Sequence, residues 1–379
     1  MRILHVAPYI DARFGGPPVA IEQIALASAR TNIQCDLAAV VSANENSPAR
    51  IEQAFASAQG RVYRFPVAAP RSWFFAPDLN MWLKHHVCHY DLVHLHVPFT
   101  YPMFAGARHS RAAGKPYAIM PHGSLDPWSL SHKRIKKKIY YSLVERTFLK
   151  FCSGINVTSV MEQDSLTKLG FGHKISITTL CVETPNLRES VVRPNGPLRL
   201  LYLSRIHLKK DLPTLLAALR SVNSAGVIAV LDIVGSGELS YVSQIEAQID
   251  VMGLRSYVTM RGFLEGAEKA AAYQAADVFV LPSLHENFCV AVAESLSYGV
   301  PVVVSDQVGI AAEIAQANAG LVIPAGDPKQ LAKAILQCTD ARVRRNFAAA
   351  ARRLAIERYS LPTLTRELQA FYSRNMAHA

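Results

Sequence analysis

Short apolar runs, loops and amphipathic stretches follow one another along the whole sequence of 379 residues. Short apolar runs bounded by turn residues are typical of strands that are buried on both faces. The amphipathic stretches between them are typical of crossover helices, so the pattern predicts parallel sheets covered by helices. A hydrophobic fraction of 50% is sufficient for such cores, and the composition excludes a disordered chain, a collagen and a repeat array.

Twelve apolar runs are predicted as strands, six in each half of the chain. Those of the first half cover residues 2–6, 35–41, 61–65, 91–96, 116–120 and 155–159. Those of the second half cover residues 198–203, 227–234, 257–260, 278–281, 301–304 and 320–323. The alternation is interrupted at residues 184–197, where three prolines and a glycine lie in a polar stretch that is typical of a linker.

These segments predict an α/β protein with two doubly wound, Rossmann-like domains. The first domain covers residues 1–185, the linker residues 186–197 and the second domain residues 198–355. Residues 356–379 have apolar side chains at helical spacing and no strand, so we expect a helix that crosses back to the first domain. Ligands of open α/β sheets bind outside the carboxyl ends of the strands, which predicts a site in a cleft between the two domains.

The chain start and the cysteines bear on the compartment in which the protein works. The first ten residues are apolar but are interrupted by His5 and Pro8, so we expect no secretory signal peptide. The most apolar stretches elsewhere are too short to span a bilayer. Six cysteines are scattered without a CxxC spacing, which favours unpaired thiols in a reducing environment. We therefore expect a cytoplasmic protein.

The densest motif surrounds two glutamates, Glu286 and Glu294, which are separated by seven residues. The pattern predicts a helix from about Phe288, whose first amides form an anion site at the carboxyl edge of the sheet. With a rise of about 1.5 Å per residue, the two carboxylates would lie about 10–12 Å apart along the helix, close to the reach from a sugar across a diphosphate to a ribose. The alternative is two unrelated surface glutamates, although an unpaired charge among the apolar neighbours of Glu294 would be costly.

This motif resembles the glutamate, seven residues, glutamate signature of glycosyltransferase family 4, and the resemblance extends over essentially the whole chain. It implies the GT-B fold and a retaining enzyme whose donor is a nucleoside diphosphate sugar. Glu286 would then bind sugar hydroxyls and have a catalytic role, while Glu294 would bind the ribose hydroxyls. The residues between them that we expect in the donor site are Asn287, Phe288, Cys289 and Val290.

A second match to the family is the segment LYLSRIHLKK at residues 201–210, which begins at the end of the first strand of the second domain and follows it. The resemblance implies that Arg205 and Lys210 bind the donor diphosphate and take part in catalysis. Two cations neutralise a leaving diphosphate without a metal, and the sequence contains no DxD motif, so we expect no metal and no other cofactor. The alternative is a solvated basic loop. The family usually has glycine where Ser204 and Asp211 stand.

Glycines follow several of the predicted strands. The pair Gly15 and Gly16 resembles the family's glycine loop, in which backbone amides approach the donor diphosphate or the acceptor, although such a pair alone is only a turn. A similar turn, which we also expect in the donor site, contains Gly235 and Gly237. The resemblance places the nucleobase loop beside the 257–264 segment, whose Arg261 and Gly262 would contact the base through backbone atoms.

Residues 120–146 begin at a strand end and resemble the branch of the family that builds bacterial surface polysaccharides. His122 matches the histidine that lies beside the donor sugar on the acceptor side. The resemblance implies that its backbone carbonyl or ring lies near the anomeric centre, and it does not imply a covalent nucleophile. Asp126 and His96 are further candidates for the acceptor side. A histidine that caps a strand end is the alternative for His122.

One predicted helix, residues 131–150, contributes six of the eleven excess positive charges of the chain. Apolar residues at helical spacing accompany these charges, namely Trp128, Ile135, Ile139 and Leu143. A basic amphipathic helix is typical of contact with an anionic membrane surface. A solvated helix face and a grip on an anionic acceptor are the alternatives. Nucleic acid binding is disfavoured because no recognition module accompanies the charge.

The resemblance therefore implies a metal-independent, retaining hexosyltransferase, and the basic helix predicts that it is peripheral on the inner face of the cell membrane. Its acceptor would be a hydroxyl of a lipid-linked or growing surface glycan. Two alternatives are a nucleotide-sugar 2-epimerase of the same architecture, which needs no acceptor, and a catalytically silent binding subunit of a polysaccharide assembly complex. The presence of Arg205, Lys210 and Glu286 argues against the silent subunit.

Overall fold

A computed structural model describes residues 1–11, 14–42, 49–131, 134–185 and 196–377 of the chain. The chain forms two compact units. The first unit combines Met1–Cys181 with Leu361–Ala379, and the second is Val182–Ser360. None of the helices in the described part of the chain combines the length and the apolarity needed to cross a bilayer.

The first unit contains a parallel sheet of seven strands in the order β3-β2-β1-β4-β5-β6-β7. The strands are β1 Arg2–Ala7, β2 Gln34–Val41, β3 Val62–Pro66, β4 Leu92–His96, β5 Tyr117–Met120, β6 Gly154–Val157 and β7 Ile175–Ile177. The α-helices are α1 Gly16–Ser28, α2 Ala49–Ser57, α3 Pro77–His86, α4 Tyr101–Ala112, α5 Pro127–Ser131, α6 Arg134–Tyr140, α7 Arg146–Phe151 and α8 Val160–Lys168. A π-helical segment, Tyr141–Glu145, joins α6 to α7.

The second unit contains a parallel sheet of six strands in the order β10-β9-β8-β11-β12-β13. The strands are β8 Leu198–Leu203, β9 Ala229–Val234, β10 Val258–Gly262, β11 Val278–Leu281, β12 Val302–Ser305 and β13 Gly320–Ile323. The helices are α9 Leu212–Ser224, α10 Leu239–Val251, α11 Gly266–Ala275, α12 Val290–Ser297, α13 Ala311–Ala317, α14 Pro328–Gln337 and α15 Ala341–Arg358. The last helix of the chain, α16 Leu361–Ala377, belongs to the first unit, where it packs against α1.

Both sheets follow the doubly wound order in which the chain starts in the middle and runs to one edge before it continues to the other. The central strands are buried almost throughout, as the apolar runs predict. The predicted fold class, two Rossmann-like domains, is confirmed. Strand β7 was not predicted, because a segment of three residues with two half-buried members gives too little signal.

The boundaries of the units differ by a few residues from those predicted. The first unit ends at Cys181 instead of residue 185, and the chain returns to it at Leu361 instead of residue 356. Residues 356–358 continue α15 of the second unit, because the helical periodicity of α15 runs without a break to Arg358. Most of the predicted linker, residues 186–195, lies outside the described residues.

Candidate functional site

The carboxyl ends of the parallel strands of the second unit bring four loops to one edge of the sheet. The loops follow β8, β9, β10 and β11, and they contain most of the predicted donor-site residues. The first and last of these loops are joined by a backbone hydrogen bond in which the Leu284 amide donates to the Lys209 carbonyl at 2.8 Å. Residues that are far apart in sequence are therefore held side by side.

Lys210 and Glu286 form a salt bridge at this edge, and only 11% and 12% of their side-chain surfaces are exposed. Ser283 Oγ donates a second hydrogen bond to Glu286 Oε1, at 3.2 Å. Desolvation lowers the pKa of the Lys210 ammonium to about 8, so the cation persists at neutral pH. A buried charge is tolerated when it is paired, which explains why these two residues occur together.

The loop after β8 positions Lys210 through a short 3₁₀ turn, Leu208–Lys210. The Lys209 amide donates to His207 Nδ1 at 3.1 Å and caps the start of this turn. Asp211, which ends the turn, has a φ of 51° in the left-handed region. This conformation explains the glycine that the family usually has here, and an aspartate is among the residues that tolerate it.

Two of the predicted donor-site glycines are required by packing. A Cβ atom on Gly235, whose φ is 141°, would lie 1.9 Å from the Ser204 carbonyl oxygen. A Cβ atom on Gly237 would lie 2.1 Å from the Ile206 carbonyl oxygen. These glycines let the loop after β9 approach the loop after β8, which contains Arg205. The Arg205 side chain is exposed at this edge.

The helix predicted from about Phe288 is present but begins two residues later, so Glu286 lies before it and Glu294 on it. Helix α12 begins at Val290, because Cys289 has a φ of 72° and interrupts the helical backbone. Glu286 lies in the preceding loop, where its amide donates to Gln307 and its carbonyl accepts from Gly309. Phe288 is buried and packs edge-on against Tyr359, with ring centroids 5.4 Å apart.

The remaining members of this segment lie around the start of α12. Asn287 and Val290 are half-buried. Burial raises the pKa of the Cys289 thiol, although the neighbouring Lys210 opposes this shift. The raised pKa favours the neutral thiol, which is the less nucleophilic form.

Glu294, on α12, is held by two side chains of α11 that the sequence did not identify. Lys269 Nζ donates to Oε1 at 2.6 Å, and the Tyr273 hydroxyl donates to Oε2 at 2.8 Å. Tyr273 itself is fully buried and stacks on Tyr298. A carboxylate has about four acceptor sites, so Glu294 retains capacity for further donors.

The segment that ends β10 contains the predicted nucleobase contacts. Arg261 is exposed and donates from Nη2 to Asp232 Oδ2, on β9, at 3.1 Å. Gly262 has a φ of 71°, and its carbonyl oxygen accepts from the Gly235 amide at 2.8 Å. No heavy atom of the described residues lies within 4 Å of a Cβ atom built on Gly262, so the backbone here is open to a close approach.

In the first unit, Gly15 precedes α1 and has the dihedral angles φ 83° and ψ −129°, which favour glycine strongly. Gly16 begins α1, and a Cβ atom built on it meets no described atom within 4 Å. Among the described residues, nothing therefore fills the space beside Gly16 at the start of α1.

His122 follows β5 in the left-handed region, with a φ of 53°. The next amide, that of Gly123, donates to Glu162 Oε1 at 2.6 Å, and Glu162 Oε2 accepts from the Thr158 amide at 3.1 Å. The buried carboxylate of Glu162 thus fixes the backbone at His122 from within the fold. Such a conformation in a residue other than glycine persists only where the surroundings enforce it.

A chain of histidines crosses the middle of the first sheet. His5 Nδ1 and His96 Nε2 are 3.0 Å apart, and His96 Nδ1 and His122 Nε2 are 2.9 Å apart. Beside them, His94 Nδ1 lies 2.9 Å from the Tyr372 hydroxyl. Burial lowers the pKa of His5 and of His122 to about 3 and the pKa values of His94 and His96 well below the usual range.

The second acceptor-side candidate, His96, is fully buried and has both ring nitrogens in this chain, so its ring is not exposed to an acceptor. Asp126 is also buried, and its backbone oxygen accepts from the Leu130 amide at 2.9 Å. Of the three candidates, only His122 is half-buried, whereas His96 and Asp126 are buried. The sequence could not distinguish these cases, because all three residues lie at or beyond the carboxyl ends of strands.

His5, His94 and His96 form the one cluster with metal-ligating atoms within 4.8 Å of one another that the described residues contain. Three-histidine sites keep an open, solvated position on the metal, whereas these rings are fully buried. Burying a dication without a carboxylate is costly, and two of the rings already share a hydrogen bond. These rings fit a hydrogen-bonded chain better than a metal.

The basic helical stretch exposes its apolar side chains. Ile135, Ile139 and Leu143 are exposed by 75%, 55% and 73%. Lys137 Nζ is anchored, because it donates to the Ser129 carbonyl at 2.7 Å and lies 5.3 Å from the centroid of the Phe99 ring. Other predicted members of this surface have side chains outside the described part of the chain, namely Trp128, Lys133, Arg134 and Lys136.

Two family models match consecutive parts of the chain. The model described as Glycosyltransferase Family 4 matches residues 14–185, and the model described as Glycosyl transferases group 1 matches residues 183–354. The chain belongs to glycosyltransferase family 4. The predicted family is thereby confirmed, and the two matches meet near the boundary between the two units.

The curated relatives of this family 4 member include an amylovoran biosynthesis glycosyltransferase of Erwinia amylovora, which is 31% identical over 43% of this chain. That match spans only 42% of the relative's own length. A phosphatidyl-myo-inositol mannosyltransferase of Mycobacterium leprae is 26% identical over 75% of this chain and 73% of its own. The solved structure of Anabaena HepE in complex with UDP-glucose superposes with a TM-score of 0.77, 19% identity and coverage of 98% and 99% of the two chains, which shows the GT-B fold.

Family membership does not single out several residues that the structure places at the site. Lys269 and Tyr273 were missed because a lysine and a tyrosine four residues apart on a helix are common on solvated faces. Glu162 was missed because its partner, the Gly123 amide, is distant in sequence. Ser283 lies only three residues before Glu286 and was missed because serine is common in loops. His5 gave one signal, a polar ring in the otherwise apolar run of β1.

Proposed function

We propose that this family 4 protein is a retaining glycosyltransferase that moves a hexosyl group from a nucleoside diphosphate sugar to a glycan hydroxyl. The observation that carries the proposal is the buried Lys210–Glu286 pair at the carboxyl edge of the second sheet. A buried ion pair contributes little to stability compared with apolar residues, so its presence at a ligand edge favours a role in function. The UDP-glucose complex of HepE, a protein of the same fold, supports a nucleotide-sugar donor.

The donor is assigned to the second unit. Arg205 and Lys210 neutralise the diphosphate, and the backbone around Gly235, Gly237 and Gly262 borders it and the base. Glu294 accepts hydrogen bonds from the ribose hydroxyls, and Glu286 accepts them from the sugar. Two cations near the leaving diphosphate support transfer without a metal, because they stabilise the charge that develops on the departing oxygen.

The transfer step follows from retention without an enzymic nucleophile. The bond between the anomeric carbon and the phosphate oxygen breaks, and the acceptor oxygen bonds to the same face of that carbon. The acceptor proton passes to the departing phosphate oxygen. No protein group changes its covalent state, so Lys210, Arg205 and Glu286 act by position and charge alone.

The acceptor is assigned to the first unit, beside His122 and the open start of α1 at Gly15 and Gly16. The relative from amylovoran biosynthesis supports a glycan acceptor, and the phosphatidyl-myo-inositol mannosyltransferase supports an acceptor on a lipid. An acceptor on a lipid stays at the membrane. The exposed apolar residues of the basic helix support its contact with an anionic bilayer on the cytoplasmic side.

A transfer assay tests the proposed activity. Full-length protein is incubated with a panel of nucleoside diphosphate hexoses, with lipid-linked glycan acceptors or without any acceptor, and in the presence or absence of chelator. We expect a product with the donor's anomeric configuration only when an acceptor is present, unaffected by chelator. Conversion of the donor sugar without an acceptor would instead identify an epimerase, and donor binding without any turnover would identify a silent subunit.

A vesicle assay tests the membrane contact separately. Replacing Ile135, Ile139 and Leu143 by Ser should reduce co-sedimentation with anionic vesicles, because insertion of these side chains is lost. The matched control replaces Leu239 and Val251, which are even more exposed, on α10 of the second unit. Replacing the basic residues of this helix, other than the anchored Lys137, by neutral residues should remove the salt-sensitive part of the vesicle binding. That part amounts to about 1 kcal/mol of binding free energy for each charge. Unchanged vesicle binding in both the apolar variant and the charge variant would contradict the proposed membrane contact.

A further inference from the structure

His5, His96 and His122 are linked by hydrogen bonds, and the structure determines which ring nitrogen of each carries the proton. A neutral imidazole carries one N–H donor and one lone pair, on different nitrogens. Burial lowers the pKa values of all three rings, so each of them is neutral at pH 7. With both hydrogen bonds formed, only two arrangements remain. Every ring is protonated on Nδ1, or every ring is protonated on Nε2.

The buried end of the chain distinguishes the two arrangements. His5 Nε2 is buried and has no hydrogen-bond partner among the described residues. In the arrangement protonated on Nε2, this atom would be a buried N–H without an acceptor, which native structures rarely contain. In the arrangement protonated on Nδ1, it is a lone pair without a donor, which is tolerated more often.

We propose that His96 and His5 are positioning residues that hold His122 as the Nδ1–H tautomer, so that its ring serves the transfer reaction only as a hydrogen-bond donor. His122 Nε2 accepts from His96 Nδ1, and the lone pair of the ring is thereby occupied. The ring then has no free lone pair with which to act as a base or nucleophile. Its Nδ1–H is then the one polar group of the ring that can bind an oxygen of a ligand. Only the catalytic part of this inference rests on the proposed function; the tautomer does not depend on it.

The surroundings of His122 support a fixed donor. Glu162 holds the backbone at Gly123 from one side, and His96 holds the ring from the other. The three rings lie on neighbouring elements in the sheet order β1-β4-β5, where parallel pairing keeps their spacing constant. A donor held in this way needs no reorganisation when charge develops on the oxygen that it faces.

The tautomer is measured directly on the full chain. Histidine-selective ¹⁵N labelling with long-range ¹H–¹⁵N correlation separates protonated from unprotonated ring nitrogens, and the spectrum of His122→Asn assigns the His122 signals. At pH 7 we expect His122 protonated on Nδ1 and unprotonated on Nε2. An Nε2–H tautomer or a cationic ring at His122 overturns the proposal. A change of the His5 signals on addition of equimolar Zn²⁺ also overturns it, because a metal would displace the proton between His5 and His96.

Two variants at His96 connect the tautomer to transfer. His96→Asn keeps an N–H donor near the position of Nδ1, whereas His96→Leu removes it. We expect His96→Asn to keep the His122 tautomer and at least tenfold more kcat than His96→Leu, with similar KM values for the donor sugar. Equal kcat values in the two variants overturn the positioning role. If His96→Leu does not fold, the wild-type spectrum still decides the tautomer. A protein that transfers no sugar at all contradicts the proposed function and leaves the spectrum interpretable.

Discussion

At the residue scale, the most informative contact is the buried pair of Lys210 and Glu286. Removing one partner of a buried pair leaves an uncompensated charge and costs about 3–5 kcal/mol. We therefore expect Lys210→Met to destabilise the second unit by about 3 kcal/mol, and the double variant with Glu286→Leu to be less destabilised than the sum of its parts. Urea unfolding of the four proteins gives the coupling energy.

The matched control is the exposed pair of Arg261 and Asp232, whose side chains are exposed by 52% and 34%. Its coupling should stay below about 1 kcal/mol, because water screens it. A coupling energy between Lys210 and Glu286 no larger than that of the control pair would contradict the prediction that burial makes this salt bridge strong. The same data decide whether lost activity in a Lys210 variant reflects catalysis or unfolding.

Glu294 makes a separate prediction at the same scale, because its proposed partner is the ribose. Losing a charged hydrogen bond costs about 1.5–3 kcal/mol, so Glu294→Gln should weaken nucleoside diphosphate binding roughly tenfold or more. A 2′,3′-dideoxy nucleotide lacks the hydroxyls, and its affinity should be the same in both proteins. Calorimetric titration with the two ligands measures this difference, with the exposed Glu268→Gln as control. Equal losses for both ligands would place Glu294 elsewhere than at the ribose.

At the element scale, the π-helical segment Tyr141–Glu145 places a carboxyl group inside the fold in the middle of a basic surface. Glu145 accepts a hydrogen bond from the Phe99 amide, and Oε2 has no partner among the described residues. Burial raises its pKa from 4.5 to about 7. The folded state therefore binds a proton that the unfolded state releases, and stability falls as pH rises from about 4.5 to about 7.

This shift predicts that Glu145→Gln stabilises the protein at pH 8, by up to about 3 kcal/mol, and changes stability little at pH 5. The glutamine keeps an acceptor for the Phe99 amide and has no charge to desolvate. Thermal unfolding at the two pH values measures the effect, and Glu268→Gln, on an exposed face, should show no such difference. A variant that is destabilised equally at both pH values would show that the carboxylate is needed in its charged form.

The bounds of strands and helices could be predicted from sequence where they depend on burial alone. The runs of β8, β11 and β13 were predicted residue for residue, because apolar runs between turn residues define buried strands. Local backbone exceptions could not be predicted. The left-handed Cys289 delays α12 by two residues, and the π segment has nearly the same periodicity as an α-helix. The histidine chain required the register between β1 and β4, which sequence pattern does not provide.

At the scale of the whole molecule, the chain is discontinuous in its units. It forms most of the first unit, then the second, and returns to the first with α16. The buried face of α16 contains Leu364, Leu368, Phe371 and Tyr372. Its partners include α1, and Glu367 Oε2 accepts from the amide and the hydroxyl of Thr179. The last residues of the chain therefore complete the unit that contains His122.

This arrangement predicts that a destabilising substitution in α16 also destabilises α1, near the start of the sequence. Phe371 is buried in the first unit and Phe279 in the second, and truncation of a buried phenylalanine costs about 3–5 kcal/mol. In hydrogen exchange measured by segment, Phe371→Ala should lower the protection of α1 and leave β8 and β11 unchanged, whereas Phe279→Ala should do the reverse. Loss of protection in the second unit with Phe371→Ala would show that the two units unfold as one. A selective loss in α1 would establish that each unit has its own stability, and that the first unit depends on α16.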